Sequence, residues 1–172
     1  MSEMSRRKKY KIIGRQRRDN GFVSGAGTVS SLNCRFYVLE NGDVTTSFVL
    51  ESEHQGWKGI AHGGISYSVL DEVMGRSNRV YDDFNHLPYV AVVTGEISCR
   101  YIKPVPIGET IYAYGRVDGE EGRKRFTSAE LMLADGTVLQ RARGIFFQTP
   151  GVNESDNADA LFPLEEGDPA EM

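Results

Sequence analysis

His54-Gln-Gly-Trp-Lys-Gly-Ile-Ala-His-Gly-Gly-Ile-Ser-Tyr-Ser-Val-Leu-Asp-Glu-Val-Met-Gly75 begins as a glycine-rich loop and becomes a helix. Gly56, Gly59, Gly63 and Gly64 fall within nine positions. From Ile65 the residues Ile65, Val69 and Val73 recur four apart, with Leu70 and Met74 beside them, which is the period of an amphipathic helix. A glycine pair at a helix start lets another group approach the backbone, and the first-turn amides there have no partner inside the helix. Asp71 and Glu72 follow two turns later, the first acids of this apolar run. Exposed amides near a carboxylate suit acyl transfer: donors for a developing oxyanion, with a base or nucleophile beside them.

Outward from this stretch the pattern is β-like. Cys34 to Leu39, the turn Glu40-Asn-Gly-Asp43 and Val44 to Glu51 read as a hairpin feeding the loop. The helix is predicted from Gly63 to about Tyr81. Tyr89 to Tyr101 reads as a long strand closed by Pro104 and Pro106, which cannot donate to a ladder. Glu109 to Asp118, a turn at Gly119-Glu-Glu-Gly122, Phe126 to Ala134, a turn at Asp135-Gly136 and Val138 to Gln148 complete the series. One helix followed by successive antiparallel strands is an α+β pattern. The expected organisation is a basic arm over residues 1–27, with one short helix or strand near Tyr10–Ile13, a domain over 28–149 and an acidic tail over 150–172.

Gly-Trp-x-Gly-Ile-x-His-Gly-Gly, with Asp71 eight residues after Gly63, resembles the hot-dog-fold thioesterases of the phenylacetate-pathway, PaaI-like type. The similarity continues through Thr94-Gly-Glu-Ile-Ser-Cys-Arg-Tyr-Ile-Lys-Pro-Val-Pro-Ile-Gly-Glu109 and covers roughly residues 28 to 149. It implies a sheet curled around one long helix and an acyl-CoA thioesterase. Asp71 matches the nucleophile or water-activating base, the Gly63 amide the oxyanion donor, and Thr94 the hydroxyl that holds the attacking water. The family often has Asn or Gln seven residues before the glycine. Here that place is Gly56, with Gln55 adjacent as the stand-in and His54 as a weaker one. His62 and Gly64 are loop residues beside the donor, and Trp57 is a loop anchor or a wall of the acyl pocket. Lys103, Arg123 and Lys124 are the candidates for gripping coenzyme A phosphates, although alternation sends Arg123 and Arg125 to one face and Lys124 to the other. A homodimer or homotetramer is implied, because a lone unit leaves sheet edges open.

The residues set their own bounds. At about 100° per residue, Asp71 lies at the rim of the apolar stripe, where partial desolvation raises a carboxylate toward a useful base. Glu72 points about 100° away and suits a pair with Arg76, four residues on. The 172 residues, 40% hydrophobic and 10% aromatic, fit one globular domain and exclude wholesale disorder. The net charge of −4 is uneven: Arg6, Arg7, Lys8, Lys9, Lys11, Arg15, Arg17 and Arg18 crowd the start, and seven acids and no base fall in residues 151–172. Both ends are expected to be solvated. No motif for nucleic acid accompanies the basic arm. Cys34 and Cys99 are far apart, and the three histidines have no metal-ligand spacing, so neither disulfide, metal nor cofactor is expected. No run is long enough to enter a membrane, and the chain reads as cytoplasmic. A non-catalytic acyl-CoA-binding or ligand-sensing hot-dog domain is the alternative that Gly56 favours and Asp71 opposes; the signature of a hot-dog hydratase or dehydratase is not visible.

Overall fold

The computed structural model describes residues 9–16, 21–25, 28–149, 151 and 161–172; Arg6, Arg7, Lys8, Arg17 and Arg18 of the basic arm lie outside them. Among the described residues ten strands and one long helix follow in order: β1 (Ile12–Gln16), β2 (Arg35–Leu39), β3 (Val44–Val49), β4 (Gln55–Trp57), β5 (Ile60–Ala61), α1 (Gly63–Phe84), β6 (Val92–Tyr101), β7 (Thr110–Glu121), β8 (Lys124–Leu133), β9 (Val138–Gln148) and β10 (Leu161–Phe162). Eight of the strands make one sheet in the order β10-β1-β2-β3-β7-β8-β9-β6, and every pairing is antiparallel. The chain leaves β3, runs through α1 to the far edge at β6, then returns beside β3 and zigzags back.

The helix is one turn longer than its apolar spacing suggests. Val69, Leu70, Val73, Met74 and Val80 bury against Phe36, Val44, Ile111, Ala113, Leu131 and Phe146 of the sheet and Leu50 just past β3. Its far end is buried by polar residues, Arg76, Asn78 and Asp82, which no hydrophobic period reports. The helix crosses closest at β7, where a Cβ on Gly115 would sit 2.9 Å from the Val73 carbonyl oxygen. Glycine at 115 is what lets the backbones meet. The α+β architecture, one helix wrapped by an antiparallel sheet, is as the sequence predicts. The strand read as starting at Tyr89 begins at Val92, and the turn read at Gly119–Gly122 tightens to Gly122, with β7 running on to Glu121.

Among the described residues β1 is the short strand expected near Tyr10–Ile13, while its burial and the docking of residues 161–172 depart from the solvated ends expected. Ile12, 1% exposed, and Gln16 lie inside β1, and residues 161–172 fold back onto it. Leu161 and Phe162 pair with Gln16 and Arg15, the Tyr10 amide donates to the Met172 carbonyl and the Ile12 amide to Ala170. Tyr37 donates its hydroxyl to Asp168 at 2.9 Å, and Arg15 pairs with Glu165. The acidic charge is in part the complement of Arg15, and Met172 packs on the small cluster of Ile12, Tyr37 and Leu39. Deleting residues 161–172 is expected to remove on the order of 2 kcal/mol, lowering Tm by about 4–8 °C; differential scanning calorimetry of the two forms measures it.

Candidate functional site

The loop before α1 is a small hairpin, with Gln55 opposite Ala61 and Trp57 opposite Ile60. His62 caps the helix, its Nδ1 accepting from the Gly64 amide at 3.1 Å, as an N-cap side chain does for an orphan donor. The Gly64 amide is thereby engaged. The Gly63 amide holds the first helical position, where no intrahelical partner exists, and makes no hydrogen bond among the described residues. Of the two glycines, Gly63 is the one with a donor to offer.

From there α1 packs against edge strand β6. Tyr101 lies against Gly63, its hydroxyl donating to the Gly63 carbonyl at 3.2 Å. Cys99 faces the core beside Tyr67, and Thr94 donates its hydroxyl to Asp71 Oδ1 at 2.9 Å. Burial raises the pKa of Asp71 above its ordinary 3.8; the Thr94 hydrogen bond pulls against that, and Glu72 adds to it. A half-buried carboxylate bonded to a hydroxyl on an open strand edge is placed to accept a proton or to attack. Burial also raises Tyr67, with Asp71 and Cys99 adding, and raises Tyr101 and Cys99.

Thr94, read in the sequence as a hydroxyl that holds water, bonds Asp71 directly, but Gly63 and Asp71 do not meet. Eight residues of helix at about 1.5 Å each place them about 12 Å apart along the axis. Gln55 does not reach in either, because its Oε1 accepts from the Gly59 amide at 3.2 Å and closes its own turn. His54 is likewise engaged, its Nδ1 accepting from the Glu51 amide. Trp57 is 80% exposed at the hairpin. The basic candidates are divided. Lys103 lies just past the Tyr101 end of β6, while Lys124 shares a register row with Phe147 and Val93 at the opposite end. Ten residues at about 3.3 Å separate them by roughly 33 Å, too far for one phosphate cluster. Arg123 Nε donates to the Gln148 carbonyl at 3.1 Å.

Glu72 takes the predicted pairing with Arg76, Oε1 to Nε 2.9 Å, but Arg76 is 1% exposed and stacks on Phe36 with Ser24 beside it. This cluster also presses on buried Cys34, whose thiol is pushed up to about 12, by burial first and Glu72 second. Reading the sequence missed Tyr101 and Ser66, which both donate to the Gly63 carbonyl, and Gln140, which donates to Ser66; the signal within reach was Ser66, one turn from Gly63.

Residues 58–140 match the family model for the thioesterase superfamily. A bovine relative, acyl-coenzyme A thioesterase THEM4, is 23% identical over 142 residues, covering 80% of this chain and 56% of its own length. A crystal structure of a thioesterase superfamily protein is 29% identical, with a TM-score of 0.66, covering 74% of this chain and 60% of that one. The Escherichia coli PaaI protein of the phenylacetic acid degradation operon superposes with a TM-score of 0.61 at 15% identity, covering 70% and 82%; at that identity the likeness is one of fold. The chain thus spans little more than half of the bovine relative it matches.

Proposed function

We propose that this chain is a hot-dog-fold thioesterase that hydrolyses an acyl-CoA thioester to free acid and coenzyme A, a reading supported by the match of residues 58–140 to the thioesterase superfamily model and by the likeness of fold. The observation that carries the reading is the Asp71–Thr94 hydrogen bond at the open edge, with an unengaged Gly63 amide at the helix start. Asp71 takes a proton from water, or attacks, and the Gly63 N–H receives the negative charge that builds on the carbonyl oxygen. Thr94 fixes which carboxylate oxygen is free. The PaaI-like character, with an acyl or aryl thioester as substrate, rests on the resemblance; thiol release across short, aromatic and long-chain acyl-CoAs tests it, and no turnover on any of them refutes the enzyme. Gly56 at the family's orienting position, with the Gln55 side-chain oxygen turned back onto the Gly59 amide, favours one other reading, a domain that binds acyl-CoA without cleaving it. Calorimetric binding without thiol release would select that reading.

The working unit is proposed to be a homo-oligomer. A donor on the carbonyl oxygen and a carboxylate attacking the carbon lie within about 7 Å of one another, less than the span between Gly63 and Asp71 in one chain. Edge strand β6 carries Val93 and Tyr101 about half exposed, an edge that proteins cover rather than leave open. Two copies related by a twofold axis would set Gly63 of one beside Asp71 of the other. Gly63→Pro removes the amide while suiting the first helical position. Mixed with Asp71→Asn, both inactive alone, it is expected to regain about a quarter of wild-type activity, since half the dimers carry one intact site of two. No recovery in refolded mixtures that light scattering shows to be dimeric would assign both residues to one chain.

A further inference from the structure

The Gly63 carbonyl is held from two directions by groups the reaction does not otherwise need. Ser66, fully buried one turn along α1, donates its hydroxyl to it at 3.0 Å. Tyr101 donates from β6 at 3.2 Å. Behind Ser66 stands Gln140 of β9, 1% exposed, whose Nε2 donates to the Ser66 oxygen at 2.8 Å. The direction of the chain is forced: because the Ser66 hydrogen goes to Gly63, the amide of Gln140 must be the donor. Tyr101 and Gln140 are also register partners across β6 and β9, so two neighbouring sheet strands grip the same first turn of the helix. Gln140 Oε1 is buried and accepts no hydrogen bond among the described residues. A buried oxygen left without a donor costs stability, and an apolar residue would fill that core position at less cost.

We propose that Tyr101, Gln140 and Ser66 form a clamp that fixes the Gly63 amide relative to β6, and so relative to the incoming thioester, a role that rests on the thioesterase reading above. None of the three touches the reacting atoms; they are positioning residues. They hold the donor's own residue at its carbonyl end and leave the N–H free, so the clamp adds rigidity without occupying the donor. Small errors in such a placement are expensive in rate because a preorganised donor acts through geometry.

The test is a set of side-chain changes read by steady-state kinetics and melting together. Tyr101→Phe, Ser66→Ala and Gln140→Met are each expected to lower kcat about tenfold with KM within about twofold. Ser66→Thr restores the rate, because it returns the hydroxyl. Gln140→Met is expected to melt at or above the wild-type temperature, since it removes the undonated buried oxygen. A rate loss that follows the fall in Tm and is not rescued by Ser66→Thr overturns the clamp, as does unchanged kcat in all three. If the wild type releases no thiol from any acyl-CoA, the thioesterase reading fails, and the clamp is decided by amide hydrogen exchange over residues 63–66. Faster exchange in Ser66→Ala and Gln140→Met with native exchange in Ser66→Thr supports it; identical exchange in all overturns it.

Discussion

Asp71→Asn is expected to lower kcat roughly 100- to 10,000-fold with little change in KM, because a positioned base is worth about that much and the ground-state contacts survive the change. The amide still accepts from the Thr94 hydroxyl, 2.9 Å away in the native protein, so the loss reports charge and basicity rather than collapse. Burial raises the Asp71 pKa above 3.8, and the acid limb of kcat/KM should lie above that value. The sign of the stability effect follows from the same shift. A carboxyl whose folded pKa is raised favours the folded state when protonated and disfavours it when ionised, so its contribution is lost as pH rises. At neutral pH, Asp71→Asn should therefore melt no lower than the wild type. Glu72→Gln, which removes the same charge one residue away, should stay within about tenfold in kcat because Glu72 faces Arg76 and Ser24. Loss of turnover in Glu72→Gln with activity kept in Asp71→Asn would reassign the carboxylate.

The largest stability loss is expected at Arg125→Met. Arg125 is 2% exposed and Asp82 1%, with Nη2 and Oδ1 2.8 Å apart; the guanidinium also lies 2.7 Å from Glu120 and stacks on Tyr81. Removing one partner of a buried pair leaves the other charged in a low-dielectric interior, at about 3–5 kcal/mol. That corresponds to a fall in Tm of about 6–20 °C for a chain of this size. Burial already raises the Asp82 pKa, against the pull of Arg125; without Arg125 it should rise further. A raised carboxyl contributes stability at low pH and loses it as pH rises, so the deficit of Arg125→Met should shrink on acidification. Asp82→Leu in the same chain should recover part of the loss, since a well-packed apolar pair replaces a buried ionic one at little cost. A chemical-denaturation series at two pH values decides both points, and a deficit that does not change with pH would place the cost elsewhere than on Asp82.

Arg125 also shows why charge near a turn is a poor guide to a binding rim. In sequence it stands with Arg123 and Lys124 and looks like surface. In the fold its strand passes over the end of α1, and Asp82, 43 residues earlier, is the group that accepts it. The charged ends of the chain read the same way: composition suggested solvated tails, yet Arg15, Tyr37 and Tyr10 bind residues 163–172. Charge patterning reports how a segment interacts with water, not which distant residue offers a hydrogen bond on the sheet.

What the sequence determined was local and periodic. The four-residue spacing of Ile65, Val69 and Val73 made the helix, the glycine pair marked its start, and alternation with Asn-Gly and Asp-Gly turns made the hairpins. Asp71 could be singled out because a carboxylate at the rim of an apolar stripe needs a reason to be there. The tertiary structure decided the pairings, and Thr94 is the clearest case. Ile97 and Cys99 face the core and Tyr101 the start of α1, and strict alternation would therefore send Thr94 to the opposite face. A bulge at Gly95 inserts one residue opposite β9, placing Thr94 against buried Phe146 and turning its hydroxyl inward to Asp71. A Cβ on Gly95 would sit 2.3 Å from the Phe147 ring, so the bulge depends on a side chain 52 positions away. Contacts of that kind, like Gln140 on Ser66 and Arg125 on Asp82, follow from strand register across the whole sheet, which no window of sequence contains.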